Sequence, residues 1–146
     1  EMGAAFGLVQ LSKLDYNIAE RERNFDFMTN FFKPYEEWFI LPKQFPNSRT
    51  GWLAYAITIK GSAPFSRKEF QIFMEKRNIQ TRTVFTGNIA RQPLFKTVDF
   101  RIAEGGCKHT DDVMRGGVLL ACHHGLTDEM REAVTRNAAE FLNQYK

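Results

Sequence analysis

Apolar residues recur at helical spacing in the first part of the chain, from Met2 to Phe32. The stripe consists of Ala4, Leu8, Leu11, Leu14, Ile18, Phe25, Met28 and Phe32. Pro34 ends the pattern, because proline has no amide proton and restricts the residue before it. The pattern predicts one long helix over residues 1–33 that links residues 34–146 to a second domain or subunit. Packing of the helix in the core, with a kink at Gly7, is the equal alternative.

Residues 34–146 carry alternating strand and helix signals. Alternation over residues 52–59 predicts a central strand with Leu53, Tyr55, Ile57 and Ile59 on one face. A helix follows, begun by a capping box of Ser66 and Glu69 and ended by a left-handed Asn78. Residues 81–85 are rich in β-branched and aromatic side chains and predict the next strand. Strand, helix and strand in this order indicate an α/β unit.

The second half of this region has weaker signals before residue 118. A short edge strand is predicted from Phe95, Val98, Phe100 and Ile102, and a short helix over residues 111–115 is predicted with a cap at Thr110 or Asp111. The apolar run 118–122 predicts a buried strand. Thr127 should cap a last helix whose buried stripe is Met130, Val134, Ala138, Phe141 and Leu142. We therefore expect a small α/β domain over residues 34–146, with a short, mostly antiparallel sheet and helices on one side.

Composition fits this picture of one globular domain. The chain has 146 residues, of which 43% are hydrophobic and 25% charged. The net charge of +3 comes from scattered residues rather than a basic face, so no nucleic-acid partner is expected. No apolar run reaches membrane-spanning length and no signal peptide is visible, which makes a cytoplasmic location the default. The two cysteines are expected to be free thiols.

The stretch TRTVFTGNIARQP, residues 81–93, has the clearest candidate chemistry. It begins as a strand and breaks at Gly87 into a polar loop, and strands commonly present binding groups in this way. The candidate substrate-binding residues are Arg82, Phe85, Gly87, Asn88, Arg91 and Gln92. Arginine offers a planar fork of donors for a diphosphate or for sugar hydroxyls, and an aromatic ring packs against an apolar ring face. The alternative is an ordinary exit from a strand with solvated polar residues.

The wording of this stretch resembles the nucleotide-sugar 3-dehydratases, typified by CDP-4-keto-6-deoxy-D-glucose 3-dehydrase. These belong to the DegT/DnrJ/EryC1/StrS superfamily of pyridoxal-phosphate (PLP) sugar enzymes. Agreement extends to residues 1–15, 21–25 and 122–127, and so spans nearly the whole chain. The resemblance implies the small C-terminal domain of aminotransferase fold type I. It also implies that the chain is the C-terminal part of a longer enzyme, because the superfamily holds PLP in a large N-terminal domain that nothing here matches.

The resemblance implies a function for that longer enzyme. The enzyme would use PLP or pyridoxamine phosphate (PMP) as a lyase, removing the C3 hydroxyl of a nucleotide-linked 4-keto-6-deoxyhexose in deoxysugar biosynthesis for lipopolysaccharide O-antigen. A homodimer is expected, with a reductase as a further candidate partner, and any [2Fe–2S] cluster would be bound upstream of this chain. The fragment alone should bind no cofactor and be inactive. The alternatives are a PLP-dependent nucleotide-sugar aminotransferase, marked by an upstream Schiff-base lysine in place of a histidine, and a non-catalytic dimerisation or binding module.

Metal binding is the main rival suggested by residue types alone. Two clusters, Cys107 with His109 and Cys122 with His123 and His124, offer ligands that zinc prefers. Neighbouring residues at a strand end point to opposite faces, so these ligands are not expected to converge and no metal site is expected. For His123 and His124 we expect a structural strand-to-helix corner rather than a proton shuttle. No nucleophile or phosphate-loop motif is present, and no catalytic residue is predicted.

Overall fold

The computed structural model describes residues 1–146 as five α-helices and a four-stranded sheet. The helices are α1 (Met2–Ser12), α2 (Leu14–Phe32), α3 (Arg67–Glu75), α4 (Lys108–Gly116) and α5 (Asp128–Leu142). The strands are β1 (Phe39–Ile40), β2 (Ala54–Ile59), β3 (Arg82–Thr83) and β4 (Gly117–Ala121). None of the helices combines the length and the apolar character that crossing a membrane requires.

The strands lie in the order β1-β2-β4-β3, and every neighbouring pair is antiparallel. Because β2 and β3 both run opposite to β4, they run in the same direction with β4 between them. Helix α3 makes the connection from β2 to β3. The predicted strand-helix-strand unit is confirmed, and the last strand of the chain fills its centre.

One face of the sheet carries the hydrophobic core. Tyr55 and Ile57 of β2 pack with helices α2, α3 and α5, which contribute Phe32, Phe70 and Phe141 among others. The opposite face carries small side chains such as Ala56, which is exposed. The expected mostly antiparallel sheet with helices on one side is therefore confirmed. Leu53 was expected on the same face as Tyr55, Ile57 and Ile59, but β2 begins only at Ala54 and Leu53 is 80% exposed.

The first helical region is two helices rather than the predicted single one. Lys13 separates them with backbone angles of φ -100° and ψ 0°, and the predicted alternative kink at Gly7 is not where the break occurs. The Ser12 hydroxyl donates to the carbonyl of Val9, which satisfies one of the groups left at the end of α1. Helix α1 has no buried residue, whereas α2 buries Phe25, Met28 and Phe32 among others.

Helix α3 begins and ends as predicted. The Ser66 hydroxyl accepts from the amide of Glu69, and the Glu69 carboxylate accepts from the amide of Ser66, which completes the capping box. Asn78 has a φ of 60° at the other end. The amide of Ile79 then donates to the carbonyl of Met74, as in a Schellman motif.

Several other boundaries differ from the predictions. No strand forms between residues 94 and 107, where a 3₁₀ turn at Pro93–Lys96 precedes irregular chain and the apolar side chains remain largely exposed. Helix α4 begins at Lys108, three residues earlier than the predicted segment, and has no side-chain cap. Thr127 caps α5 as predicted, but Met130 is exposed rather than part of the buried stripe.

Candidate functional site

Strand β3 ends at Thr83, two residues before the end of the predicted strand, and the candidate loop begins at Val84. Phe85 has a positive φ of 48° and Gly87 one of 74°, and residues in this region cannot continue a strand. The loop then lies against α4, since a Cβ added to Gly87 would come within 2.4 Å of the Met114 side chain. Only glycine at position 87 combines this backbone conformation with so close an approach to the helix.

Asp111, in the first turn of α4, holds the middle of the loop. Its Oδ1 accepts from Asn88 Nδ2 at 2.8 Å and from Arg91 Nε at 3.1 Å. Its Oδ2 accepts from Arg91 Nη2 at 2.8 Å, so the guanidinium and the carboxylate form a two-bond pair. These hydrogen bonds, from Arg91 first and Asn88 second, lower the pKa of Asp111 from 3.8 to about 2.

Asn88 and Gln92 fix the shape of the loop from within. Asn88 is only 2% exposed, and its Oδ1 accepts from the amide of Ala90 while its amide group binds Asp111. Gln92 Nε2 donates to the carbonyl of Thr86 at 2.8 Å, which joins the two ends of the loop. Both polar groups of Asn88 and the amide nitrogen of Gln92 are thus already bonded within the chain.

Arg82 and Phe85 are the predicted residues that remain most open. Phe85 is 86% exposed, and Arg82 takes part in none of the ion pairs of the chain. The two share an open groove of about 610 Å³ with Gln71, Thr81, Thr83 and Leu119. Arg82 also borders a second, mainly apolar groove of about 570 Å³ between β4 and the start of α5.

The six predicted residues therefore fall into two groups. Asn88 and Arg91 meet at Asp111, with Gly87 and Gln92 shaping the same loop. Arg82 and Phe85 line the adjoining groove. Asp111, a candidate helix cap from its sequence, was not predicted to belong to the site. Arg91 and Asp111 are twenty positions apart, and no local sequence pattern indicates that residues at this separation are in contact.

The chain does not by itself form a place for a pyridoxal cofactor. The four buried polar or charged residues are Asn24, Thr81, Asn88 and Arg131. Each already bonds within the chain: Arg131 to Asn24 and Asp128, Thr81 to Glu75 and Gln71, and Asn88 to Asp111. No lysine is fully buried. Two further buried oxygens, Thr29 Oγ1 and Tyr55 OH, have no partner, but they lie within the aromatic core, and the groups present do not fit PLP.

The cysteines and histidines do not converge. Cys107 is half-buried before α4, while Cys122 lies in the core, where burial raises the pKa of its thiol to about 11. His123 lies at the predicted corner between β4 and α5, and its Nδ1 accepts from the amide of Gly125 at 3.1 Å. No three His, Cys, Asp or Glu side chains form a group that could hold a metal ion.

Comparison with curated proteins gives relatives that match nearly the whole chain. It is 35% identical over 142 residues to a dTDP-4-dehydro-2,6-dideoxy-D-glucose 3-dehydratase of Saccharopolyspora spinosa. It is 31% identical over 142 residues to the lipopolysaccharide biosynthesis protein RfbH of Salmonella typhimurium. Each alignment covers 97% of this chain but only 30% and 32% of the respective relative. The chain thus spans about a third of the length of these relatives.

Solved structures share the fold. The chain superposes on a GDP-4-keto-6-deoxy-D-mannose-3-dehydratase of Escherichia coli, solved with bound hydrated PLP, with a TM-score of 0.81. The sequence identity is 19%, and the match covers 93% of this chain and 34% of that one. This likeness confirms the fold expected from the resemblance. The model of the DegT/DnrJ/EryC1/StrS aminotransferase family matches residues 1–138. The chain therefore belongs to the DegT/DnrJ/EryC1/StrS aminotransferase family.

Proposed function

We propose that this chain is the C-terminal domain of a PLP/PMP-dependent nucleotide-sugar 3-dehydratase of deoxysugar biosynthesis. The substrate would be a nucleotide-linked 4-keto-6-deoxyhexose that loses its C3 hydroxyl. Two curated relatives support this reaction class and pathway, because one is a 3-dehydratase and the other a lipopolysaccharide biosynthesis protein. The observation that carries the proposal is the loop after β3, which is held rigidly on α4 and leaves Arg82 and Phe85 open to a ligand.

The residues of this chain would bind substrate rather than carry out the chemistry. Arg82 and Arg91 offer guanidinium donors to phosphate or hydroxyl oxygens, and Phe85 offers an aromatic face to an apolar ring face. Asn88 and Gln92 would act by keeping the loop in shape. When bound, the cofactor supplies the electron sink for the reaction, and the residues that hold it would lie outside this chain. On its own the chain would be inactive.

The assembly around this domain is part of the same proposal. We infer a cytoplasmic homodimer, with a reductase as partner if the reaction requires electrons. A [2Fe–2S] cluster would draw its cysteines from outside this chain, because Cys107 and Cys122 occupy separate places in the fold. Cluster ligation needs thiolates close to one another, and Cys122 is buried in the core with a raised pKa.

The test begins with the native polypeptide, captured from its source with an antibody against this chain. We expect a species far heavier than 16.9 kDa with pyridoxal absorbance that removes the C3 hydroxyl of a CDP-linked 4-keto-6-deoxyhexose. Formation of an amino sugar from glutamate would instead establish the aminotransferase alternative, which the family description favours. A colourless native protein of 16.9 kDa would contradict both the dehydratase and the aminotransferase hypotheses. The non-catalytic binding module would then be the remaining hypothesis.

A further inference from the structure

The pairing of Arg91 with Asp111 changes what Arg91 can bind. Asp111 takes Nε and Nη2 of the guanidinium in a two-bond pair and leaves Nη1 free. The Arg91 side chain is 63% exposed, so the remaining donors face solvent. A diphosphate that approached them would also meet the Asp111 carboxylate, which carries the same sign of charge as the phosphate.

Arg82 has the opposite character. It forms no ion pair and lines the groove that Phe85 also borders. Gln92 donates a hydrogen bond to the carbonyl of Thr86. Because Gln92 follows Arg91 and Thr86 follows Phe85 in the sequence, this bond brings the two ends of the loop together. The groove therefore carries an unpaired cation, and the loop that continues from it carries a guanidinium whose charge is offset by a carboxylate.

We infer that Asp111 is a positioning residue whose charge offsets that of Arg91, so that Arg91 donates to sugar hydroxyls and the diphosphate is left to Arg82. This inference rests on the proposed function and assigns the two ends of that substrate. A hydroxyl group both donates and accepts, so it suits a guanidinium with a carboxylate beside it, whereas phosphate only accepts. Asn88 belongs to the same device, since its amide holds Asp111 Oδ1 in place.

The test follows the arginine Nε–Hε signals of the 146-residue chain by NMR during titration with inorganic pyrophosphate. In the wild type we expect the Arg82 signal to shift and the Arg91 signal to stay unchanged. In Asp111→Asn the freed Arg91 signal should also shift, and the chain should bind pyrophosphate about fivefold more tightly because one negative charge near the ligand is lost.

Asp112→Asn is the matched control. It removes the same charge from the next residue of α4, but Asp112 pairs with Lys108 and Arg115 rather than with the loop. The Arg91 signal should therefore stay silent in this variant. An equal Arg91 response in both variants would mean that only net charge matters and would overturn the inference. The inference would also be overturned if pyrophosphate shifted the Arg91 signal of the wild type as much as the Arg82 signal. This second outcome can be observed without any variant.

Solvent exchange of the Arg91 Nε–Hε proton separates this inference from the proposed function. Asp111→Asn should accelerate that exchange and Asp112→Asn should not, whether or not any ligand binds. Unchanged exchange in Asp111→Asn would overturn the role of Asp111. If exchange changes as expected but Arg82 is silent to pyrophosphate, the positioning role stands and the proposed nucleotide-linked substrate is what fails.

Discussion

Trp52 stacks on Phe25 with ring centroids 3.8 Å apart and planes 10° from parallel. The contact joins the segment before β2 to helix α2, and Phe25 also meets Tyr55 of β2 edge-on at 5.5 Å. The aromatic residues of α2 thus fix where this helix crosses the sheet. The pair also ties the helical region to the rest of the domain.

Replacing Phe25 should therefore destabilise the domain strongly. Phe25 is 5% exposed, and removing a buried phenylalanine leaves a cavity that costs about 3–4 kcal/mol. Urea unfolding of Phe25→Ala should show this loss in the free energy of unfolding. Phe85→Ala makes the same chemical change at an exposed position and should stay within about 0.5 kcal/mol of wild type. Equal losses in the two variants would contradict the packing described.

Two glycines should respond to alanine in opposite directions. At Gly116 a Cβ would lie 2.1 Å from the carbonyl oxygen of Ile59, so Gly116→Ala should cost more than about 2 kcal/mol. At Gly3, in the exposed helix α1, a Cβ meets nothing within 4 Å. Gly3→Ala should raise the helix content, with a gain of up to about 1 kcal/mol in local helix stability. Circular dichroism and thermal unfolding of both variants would check the contrast.

The loop should loosen in acid. The pKa of Asp111 is lowered in the folded chain, so its contribution to stability is present above its unfolded pKa of 3.8 and is lost as the pH falls toward about 2. The difference in Tm between wild type and Asp111→Asn should be largest above pH 4 and shrink over this window. A difference that stayed constant from pH 6 to pH 2 would show that the ionised carboxylate does not hold the loop.

Cys122 should be inert toward thiol reagents in the native chain. Burial raises its thiol pKa to about 11, and its Sγ donates to the carbonyl of Arg21. Because only the thiolate reacts, a disulfide reagent at pH 8 should modify half-buried Cys107 alone, and both cysteines after denaturation. Native Cys107→Ser should then give no modified thiol. Rapid labelling of that variant would show that β4 opens readily.

Local features of the fold could be predicted from sequence and distant ones could not. The capping box of Ser66 and Glu69 and the left-handed Asn78 depend on residues a few positions apart, and both form as predicted. Strand β3 ends where Phe85 takes a positive φ, a conformation that phenylalanine does not favour. The same turn packs Gly87 against Met114 of the distant helix α4, a contact that the local sequence does not indicate.

The candidate site shows the same division. Its arginines were identified from residue type, but the partner of Arg91 comes from a helix that begins seventeen positions later in the chain. The exposure of α1 could not be predicted either. An apolar stripe predicts a helix but does not indicate whether the surface that covers it belongs to the same chain. Helical periodicity located the helices but not the break at Lys13.

The position of β4 in the sheet has a consequence for synthesis on the ribosome. Strands β2 and β3 pair with β4 and not with each other, and β4 is made last of the four. A nascent chain that ends before Gly117 therefore contains the pair of β1 and β2 but lacks the strand that joins this pair to β3. In such a chain one edge of the apolar strand β2 stays unpaired, so the domain should become protease-resistant only after residues 117–121 have emerged.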